Sequence, residues 1–460
     1  MSKLTKLIKH PIMFFKDAFN KKTSPIEIGK DKSPKKVVIN TKSKKEKSKM
    51  ATKKEFSNKK NSEKEVAKIA DNKLFANVRF KDDIAIYFDG KMGNLYQVEQ
   101  WLGPFKALAK ERDIVFIVRV KEVFDWISNN TEFPVVYCKV IDEVMKVYEE
   151  GKFKCVLYVN NGQKNFQSLI ISDVYHVHIN HGESDKLSTI SNQAKAYDYV
   201  FISGQAAYDK YNNNLINKDM NKFIKIGRPQ LEHIEKIECP DINKPNPASS
   251  YNVPNRKVVL YAPTWEATYE SMNYTSLNDF GMKIIDEVMA QDDLFLIYKP
   301  HPNTGSRDPQ SKLINEQIIN KLKKYYKGKA ITSGDINSLY EHVDIAIFDN
   351  SAVAIDYLAT DKPMLMTDMF YRTPFRNDKP IITTATKLVS EDNINNLINI
   401  LRNEIKNDTV SIERKKVKEY FLGNIDYKNG ESTRMFIDQI SLICDERDYE
   451  LELLKEKLND

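Results

Sequence analysis

The chain has 460 residues, more than one hydrophobic core ordinarily serves, so two or three domains are expected. Its 41% hydrophobic content is typical of a globular protein, and four cysteines without a CxxC pair argue against a zinc site or a disulfide framework. No run of about 18 apolar residues occurs, so we expect no membrane-spanning helix. Lysines interrupt the apolar residues of the first 20 positions, which is unlike a signal peptide.

The net charge of +7 is unevenly distributed, because residues 1–70 contain 21 Lys and seven acidic residues for a local net charge of +14. The remaining chain therefore carries a net charge of −7. A nucleic-acid enzyme usually carries its positive charge on the folded surface. A basic tail instead favours an anionic membrane surface as the partner and argues against nucleic acid.

Residues 2–20 place apolar side chains at helical spacing with lysines between them, and Pro11 would kink or restart the helix. A short basic amphipathic helix is typical of an anchor lying on anionic lipid. The alternatives are a helix docked on the body of the protein or on a partner. Residues 21–70 contain few large apolar residues, which predicts a disordered, charged linker.

From about residue 75, short β-branched runs alternate with helical segments, which predicts parallel strands in βα units. The loop at 89–94 follows the first strand and opens a helix over 97–108. This loop is either part of an acceptor site or an ordinary βα turn. The predicted strands of the first series lie at 84–88, 114–120, 134–138, 155–160, 174–179, 199–203 and 223–226.

The strand predicted at 174–179 runs into an Asn-His-Gly turn at residues 180–182. Ligands of open α/β folds collect at the carboxyl ends of strands, so His181 at this strand exit is the first catalytic candidate. His176 and His178 alternate with apolar residues on the same strand, which favours core or surface positions without a catalytic role.

Residues 228–256 are rich in Pro, Asn and Ser and indicate a connection between domains. A second α/β series follows it. Its predicted strands lie at 258–262, 294–299, 329–332, 345–349 and 363–366, its helical segments at 281–290 and 314–325, and its closing helices at 388–405 and 430–458.

Polar residues stand at the ends of the strands in this second series. The strand at 345–349 runs into Asp-Asn-Ser and then a helix, which offers N–H and hydroxyl donors for a phosphate. Asp349 and Ser351 could equally be helix caps without a ligand, but convergence of several polar strand ends on one edge favours a site. No GxxxxGK[ST], GxGxxG, HExxH or GxSxG motif occurs, and no carboxylate cluster has metal-ligand spacing.

These motifs resemble the CDP-glycerol glycerophosphotransferase family of teichoic-acid and capsule synthesis over about residues 170–440. In chain order they are Asn-His-Gly…Lys at 180–186, Ile-Gly-Arg-Pro at 226–229, Tyr-Ala-Pro-Thr-Trp at 261–265, Lys-Pro-His-Pro at 299–302, Asp-Ile-Asn-Ser-Leu at 335–339 and Asp-Asn-Ser-Ala…Asp at 349–356.

The resemblance implies an α/β, GT-B-like fold, in which two Rossmann-like domains with parallel sheets face a central cleft. With the membrane-associating basic arm that charge and apolar spacing predict at 1–70, we therefore expect an acceptor domain at 71–240 and a nucleotide-donor domain with closing helices at 241–460.

The resemblance also implies roles for residues. His181 would be the catalytic base, and His301 would be its catalytic partner on the phosphates. The implied donor-binding residues are Gly182, Gly227, Arg228, Thr264, Lys299, Thr332, Ser333, Asp349, Ser351 and Asp356. Three departures from the family pattern, at Glu183-Ser184, Lys299 and Ala352, leave the donor open among CDP-glycerol, CDP-ribitol and a nucleotide sugar.

The expected function is transfer of glycerol phosphate, or a related polyol phosphate, from a CDP-activated donor to a lipid-linked or growing polymer acceptor. We expect it to proceed by in-line displacement without a metal or cofactor, in a peripheral protein on the cytoplasmic face of the membrane. The alternatives are a GT-B glycosyltransferase that uses a nucleotide sugar for surface polysaccharide, and a non-catalytic membrane-tethered scaffold of a capsule assembly complex.

Overall fold

The computed structural model describes residues 83–185, 190–234, 256–267, 272–370 and 379–459. The amphipathic helix expected at 2–20 and the linker expected at 21–70 lie outside these residues. Most of the expected interdomain connection, from 235 to 255, and the Lys186 end of the His181 turn also lie outside them.

The described first half contains seven strands, each of which lies within one of the apolar runs predicted above. They are β1 (Ile84–Phe88), β2 (Ile114–Val118), β3 (Val135–Tyr137), β4 (Cys155–Tyr158), β5 (Tyr175–His178), β6 (Tyr199–Ile202) and β7 (Phe223–Lys225). They form one parallel sheet in the order β3-β2-β1-β4-β5-β6-β7. The β1, β2 and β4 side chains are buried throughout, because helices cover both faces of a parallel sheet.

The described second half contains six strands. They are β8 (Lys257–Ala262), β9 (Leu294–Tyr298), β10 (Gly328–Ala330), β11 (Ile345–Phe348), β12 (Met364–Thr367) and β13 (Lys387–Val389). All pair in parallel in the order β10-β9-β8-β11-β12-β13, which is the doubly wound Rossmann order. The prediction of two parallel sheets in one α/β chain is therefore confirmed.

The helices α1 to α9 lie between successive strands, as βα units require, and α10 to α12 follow the last strand. Those of the first half are α1 (Tyr96–Glu99), α2 (Leu102–Leu108), α3 (Lys121–Asn130), α4 (Ile141–Gly151), α5 (Asn165–Ser168) and α6 (Gln205–Asn214). Those of the second half are α7 (Met282–Met289), α8 (Pro309–Leu322), α9 (Ala352–Tyr357), α10 (Leu397–Asn407), α11 (Ser411–Leu422) and α12 (Glu431–Asn459).

The helix predicted over 388–405 was wrong at its start, because Lys387–Val389 is strand β13 and the helix begins only at Leu397. β13 pairs with β12 at the sheet edge. That pairing depends on a neighbour about 20 residues away, which local periodicity does not reveal.

The last helix, α12, packs against the first sheet although it ends the chain. Phe436, Ile440 and Cys444 are fully buried in the same apolar cluster as β1 and β2 side chains such as Ile86 and Phe116. No helix in the part of the chain that the structure describes is long and apolar enough to cross a membrane.

Both sheets reverse their winding between the first and fourth strands of each series, at β1/β4 and at β8/β11. In doubly wound sheets, ligands bind outside the carboxyl ends of the strands at this switch point. The segments that follow β1, β5, β8, β9 and β11 all contribute side chains to one cleft. The fold thereby brings together the motifs that the sequence placed at strand ends.

Candidate active site

A cleft of about 1220 Å³ is lined by residues of both halves. Seven of the twelve residues expected at the site line it. They are His181, Gly182, Thr264, Lys299, His301, Ser351 and Asp356. The other five, Gly227, Arg228, Thr332, Ser333 and Asp349, do not line it.

His181 is presented by a tight turn after β5. Asn180 adopts a left-handed conformation, with φ of 55°, which Asn tolerates better than most residues. Its side chain clamps the turn, because Oδ1 accepts from the His181 N–H at 2.8 Å and Nδ2 donates to the Gly182 carbonyl at 3.0 Å. The Trp101 indole N–H donates to the Asn180 carbonyl at 2.5 Å. The position of the imidazole is therefore set by the turn and by α2.

The hydrogen bonds of His181 define its tautomer. Nδ1 lies 3.0 Å from the Val159 carbonyl, which only accepts, so Nδ1 carries the proton. Nε2 then holds the lone pair, with the Gln97 amide nitrogen 3.4 Å away and the Gln97 Oε1 bonded to Asn160. The pKa of His181 is lowered to about 4, mainly by burial, with the hydrogen bond to Val159 raising it and the charge of Arg228 lowering it. His181 is thus a neutral base with Nε2 at the cleft.

His301 follows β9 and lines the same cleft. Its Nδ1 accepts from the Asn303 backbone N–H at 3.1 Å, so the neutral ring carries its proton on Nε2. The ring stacks on Trp265, with centroids 5.9 Å apart. The Tyr96 ring meets both histidines edge-on, at centroid distances of 6.0 Å to His181 and 6.0 Å to His301. A proton-accepting and a proton-donating imidazole therefore contact the same aromatic ring.

Lys299 is the buried cation of the cleft, with 6% of its surface exposed. Burial lowers its pKa to about 8, while the nearby carboxylates of Asp335 and Glu99 raise it. Its Nζ donates to the Ser333 carbonyl at 2.8 Å. Because the pKa remains near 8, the ammonium is charged at neutral pH and available to a phosphate.

The start of α9 faces the His181 turn across the cleft. A Cβ added to Gly182 would lie 3.1 Å from the Ala352 Cβ, so glycine allows this close approach. Ser351 is the N-cap residue, and its hydroxyl donates to the Asp349 carbonyl at 3.2 Å without capping the helix. The first N–H groups of a helix lack intrahelical partners and attract anions. A phosphate at this point would lie beside His181.

The expected donor contact of Asp349 is corrected by the structure, because this side chain is fully buried behind the cleft. Its carboxylate accepts from the backbone N–H groups of Thr264 at 2.7 Å and Ser276 at 3.2 Å, and from the Thr367 hydroxyl at 2.5 Å. Asp349 therefore ties the ends of β8 and β12 together and positions Thr264.

Arg228 and Gly227 also act inside the protein. Arg228 makes two parallel hydrogen bonds of 3.0 Å to Asp356, and both side chains are buried. Gly227, with φ of 73°, packs against Ile425 and Ser432, where a Cβ would clash. These residues join the segment after β7 to α9 and the C-terminal region. Asp356 also lines the cleft, but both of its carboxylate oxygens are hydrogen-bonded to Arg228.

Thr332 and Ser333 have exposed side chains outside the cleft, and only the Ser333 carbonyl contributes, as the acceptor for Lys299. Two lining residues, Tyr96 and Trp265, escaped sequence reasoning, as did the buried Gln97 beside His181. Trp265 belongs to the Tyr-Ala-Pro-Thr-Trp motif after β8, and Tyr96 follows the loop after β1. The signal available for both residues was their position shortly after a strand. No group of His, Cys, Asp or Glu in the described ranges is arranged to hold a metal ion.

The sequence matches a family model described as CDP-glycerol:poly(glycerophosphate) glycerophosphotransferase over residues 167–440, more than half of the chain. This match confirms the family resemblance found from the motifs. No curated protein matches the sequence significantly.

Solved structures show the same architecture at low sequence identity. The wall teichoic acid polymerase TagF is 14% identical, covers 82% of this chain and 91% of its own, and has a TM-score of 0.52. A structure described as a UDP-N-acetylglucosamine 2-epimerase of Listeria monocytogenes is 12% identical over 79% and 97%, with a TM-score of 0.54. S. aureus MnaA with UDP is 14% identical over 78% and 95%, with a TM-score of 0.51. These likenesses confirm the GT-B-like fold.

Proposed function

Because the chain belongs to the CDP-glycerol:poly(glycerophosphate) glycerophosphotransferase family, it is a transferase that uses CDP-glycerol, and we propose that His181 and His301 carry out the transfer. The observation that carries this proposal is their placement. His181 offers an unprotonated Nε2 and His301 a protonated one, and both imidazoles meet the Tyr96 ring edge-on in one cleft. The membership also supports teichoic-acid synthesis as the setting.

In the proposed reaction, a hydroxyl oxygen of the acceptor attacks the β-phosphorus of CDP-glycerol. The new O–P bond forms as the bond from this phosphorus to the bridging oxygen breaks, and CMP leaves with that electron pair. The acceptor hydroxyl gives its proton to His181 Nε2. A positioned base of this kind is typically worth about 10²–10⁴-fold in rate.

The second half supplies the groups for the diphosphate. Lys299 and the Nε2–H of His301 are positioned to neutralise its oxygens, with Thr264, Ser351 and the first N–H groups of α9 as further donors. Phosphoryl transfer depends mostly on such positioning and charge stabilisation, because the charge is spread over the transferring oxygens. This arrangement supports residues 241–460 as the donor domain and 71–240 as the acceptor domain.

The test of this function is an assay of CMP release with the full chain, a glycerol phosphate acceptor, and CDP-glycerol, CDP-ribitol or UDP-sugars as donors. We expect CDP-glycerol to be turned over and to raise the melting temperature. A preference for CDP-ribitol would change the polyol, and a preference for a UDP-sugar would favour the GT-B glycosyltransferase. If no nucleotide is turned over and none raises the melting temperature, catalysis is contradicted and the non-catalytic scaffold is favoured. An acceptor series would separate teichoic-acid chains from capsular polymers.

For residues 1–70, we propose membrane attachment on the cytoplasmic face, where a lipid-linked acceptor would be presented. Apolar residues at helical spacing in 2–20 and the +14 charge of residues 1–70 provide two signals, and stable anchoring requires two. A variant that starts at Asp71 is expected to turn over soluble acceptors and to lose sedimentation with anionic liposomes. Sedimentation of the full chain should weaken with salt, since exposed charges are screened over about 10 Å at 0.1 M. Equal sedimentation of both proteins at low salt would place the anchor elsewhere.

A further inference from the structure

One wall of the cleft is a nearly continuous helical path formed by α1, α2 and the turn that ends at Lys110. Gln100 and Trp101, between the two helices, keep helical backbone angles. The residues of this path that line the cleft recur every three or four positions and share one face. They are Tyr96, Glu99, Gln100, Leu102, Gly103, Lys106, Ala107 and Lys110. The face begins at Tyr96, whose ring contacts both histidines, and continues along the helical path to Lys110.

The length of this face can be compared with the repeat of a glycerol phosphate chain. At a helical rise of about 1.5 Å per residue, Lys106 and Lys110 lie about 15 and 21 Å along the path from Tyr96. One glycerol phosphate repeat contains six backbone bonds, the number in two peptide residues, which span about 7 Å when extended. The lysines therefore stand about two and three repeats from the reacting end, and about one repeat apart.

The charges on this face fit a polyanion. Lys106 and Lys110 have exposed side chains without a hydrogen bond or ion pair to any described residue. Glu99 is the single acidic residue among the cleft-lining residues of this path, and its charge acts on Lys299 nearer the histidines. The cleft of about 1220 Å³ also exceeds the roughly 300–1,000 Å³ of a site for one small ligand. It has room for a donor and a length of acceptor.

We propose that Lys106 and Lys110 bind the phosphodiesters of the acceptor chain, two and three repeats behind the hydroxyl that reacts at His181. Trp126 and Asn130 of α3 line the same cleft and provide an apolar and a polar surface for the polyol between the phosphates. The inference rests on the proposed function and extends it to the acceptor. Without an acceptor role, lysines at the end of a helix would only stabilise its dipole.

The experiment compares the Lys106→Ala/Lys110→Ala double variant with the native enzyme on acceptors of one and of four or more glycerol phosphate repeats. We expect the KM for the long acceptor to rise at least tenfold, because two charge-assisted contacts are lost. The KM values for the one-repeat acceptor and for CDP-glycerol should stay within twofold. The native KM for the long acceptor should rise with salt more steeply than that of the variant.

The matched control is Lys323→Ala/Lys324→Ala, which removes two exposed lysines at the C-terminal end of α8, outside the cleft. It should change none of these values. Equal effects of the cleft substitutions on short and long acceptors, or no effect on either, would overturn the inference.

Calorimetry of poly(glycerol phosphate) binding in the absence of donor tests the inference independently of catalysis. Weaker binding by the cleft variant supports it, and unchanged binding overturns it. Failure of the native enzyme to release CMP from CDP-glycerol with any acceptor would instead contradict the proposed function.

Discussion

Replacing His181 with Ala is expected to lower CMP release from CDP-glycerol by about 10²–10⁴-fold, the range for loss of a positioned general base. Donor affinity should change little, because the diphosphate groups are assigned to Lys299, His301 and Ser351 in the second half. Single-turnover CMP release, together with CDP-glycerol binding by calorimetry, separates the two effects. The control is His342→Gln, outside the cleft at the end of the Ile336–His342 turn. Near-native turnover by His181→Ala would end its assignment as the base.

The pH profile provides a second readout of the same assignment. The pKa of His181 is lowered to about 4, so the free enzyme keeps its base unprotonated at neutral pH and loses it only as the pH falls through about 4. The acid limb of kcat/KM, which reports the free enzyme, should therefore lie near pH 4. Bound phosphates favour the imidazolium, so the acid limb of kcat should lie at higher pH. A shared acid limb near pH 6.5 would contradict the lowering of the His181 pKa by burial.

Replacing Asp356 with Ala is expected to destabilise the fold by about 3–5 kcal/mol, because Arg228 would remain buried without its carboxylate partner. Arg228 and Asp356 keep only 5% and 4% of their side-chain surface exposed and form a bidentate pair. The pair joins the segment after β7 to α9, so its loss should also loosen the cleft. The free energy of unfolding in urea measures the effect.

Two further variants test whether the cost comes from an unpaired buried charge. Arg228→Met/Asp356→Leu removes both charges and should recover most of the lost stability. Arg402→Ala breaks an exposed pair with Asp293 and should cost about 1 kcal/mol or less. A double variant that is as unstable as Asp356→Ala would show that shape, and not charge, is what Arg228 and Asp356 contribute.

The strands were predictable because their signal is local. The run Ile84–Phe88 is apolar at every position and bounded by polar residues, and it forms β1 with the same limits. Helix limits were less accurate. The helix predicted over 314–325 begins at Pro309, where Asp308 accepts from the Gln310 and Ser311 N–H groups. An Asp-Pro start is a local capping signal, so this limit too lay within reach of the sequence.

The roles of individual side chains were less predictable from the sequence than the strands were. The strand-exit position of His181 placed it at a site edge, and the structure does bring it to the cleft. The protonation of its Nδ1 depends on the Val159 carbonyl, 22 residues away. Asp349 stands at a strand exit in the same way, yet its carboxylate is taken up by Thr264, Ser276 and Thr367 inside the protein.

The sequence by itself determined the two strand series, the family and the set of strand ends from which a site could be built, because apolar periodicity and short motifs are properties of neighbouring residues. Only the tertiary structure decided which polar strand-end residues face the cleft. It also brought Tyr96 into contact with both His181 and His301 and paired Arg228 with Asp356, 128 positions apart. Burial and hydrogen-bond partners depend on residues distant in the chain, and they decide whether a polar group holds the fold together or meets a substrate.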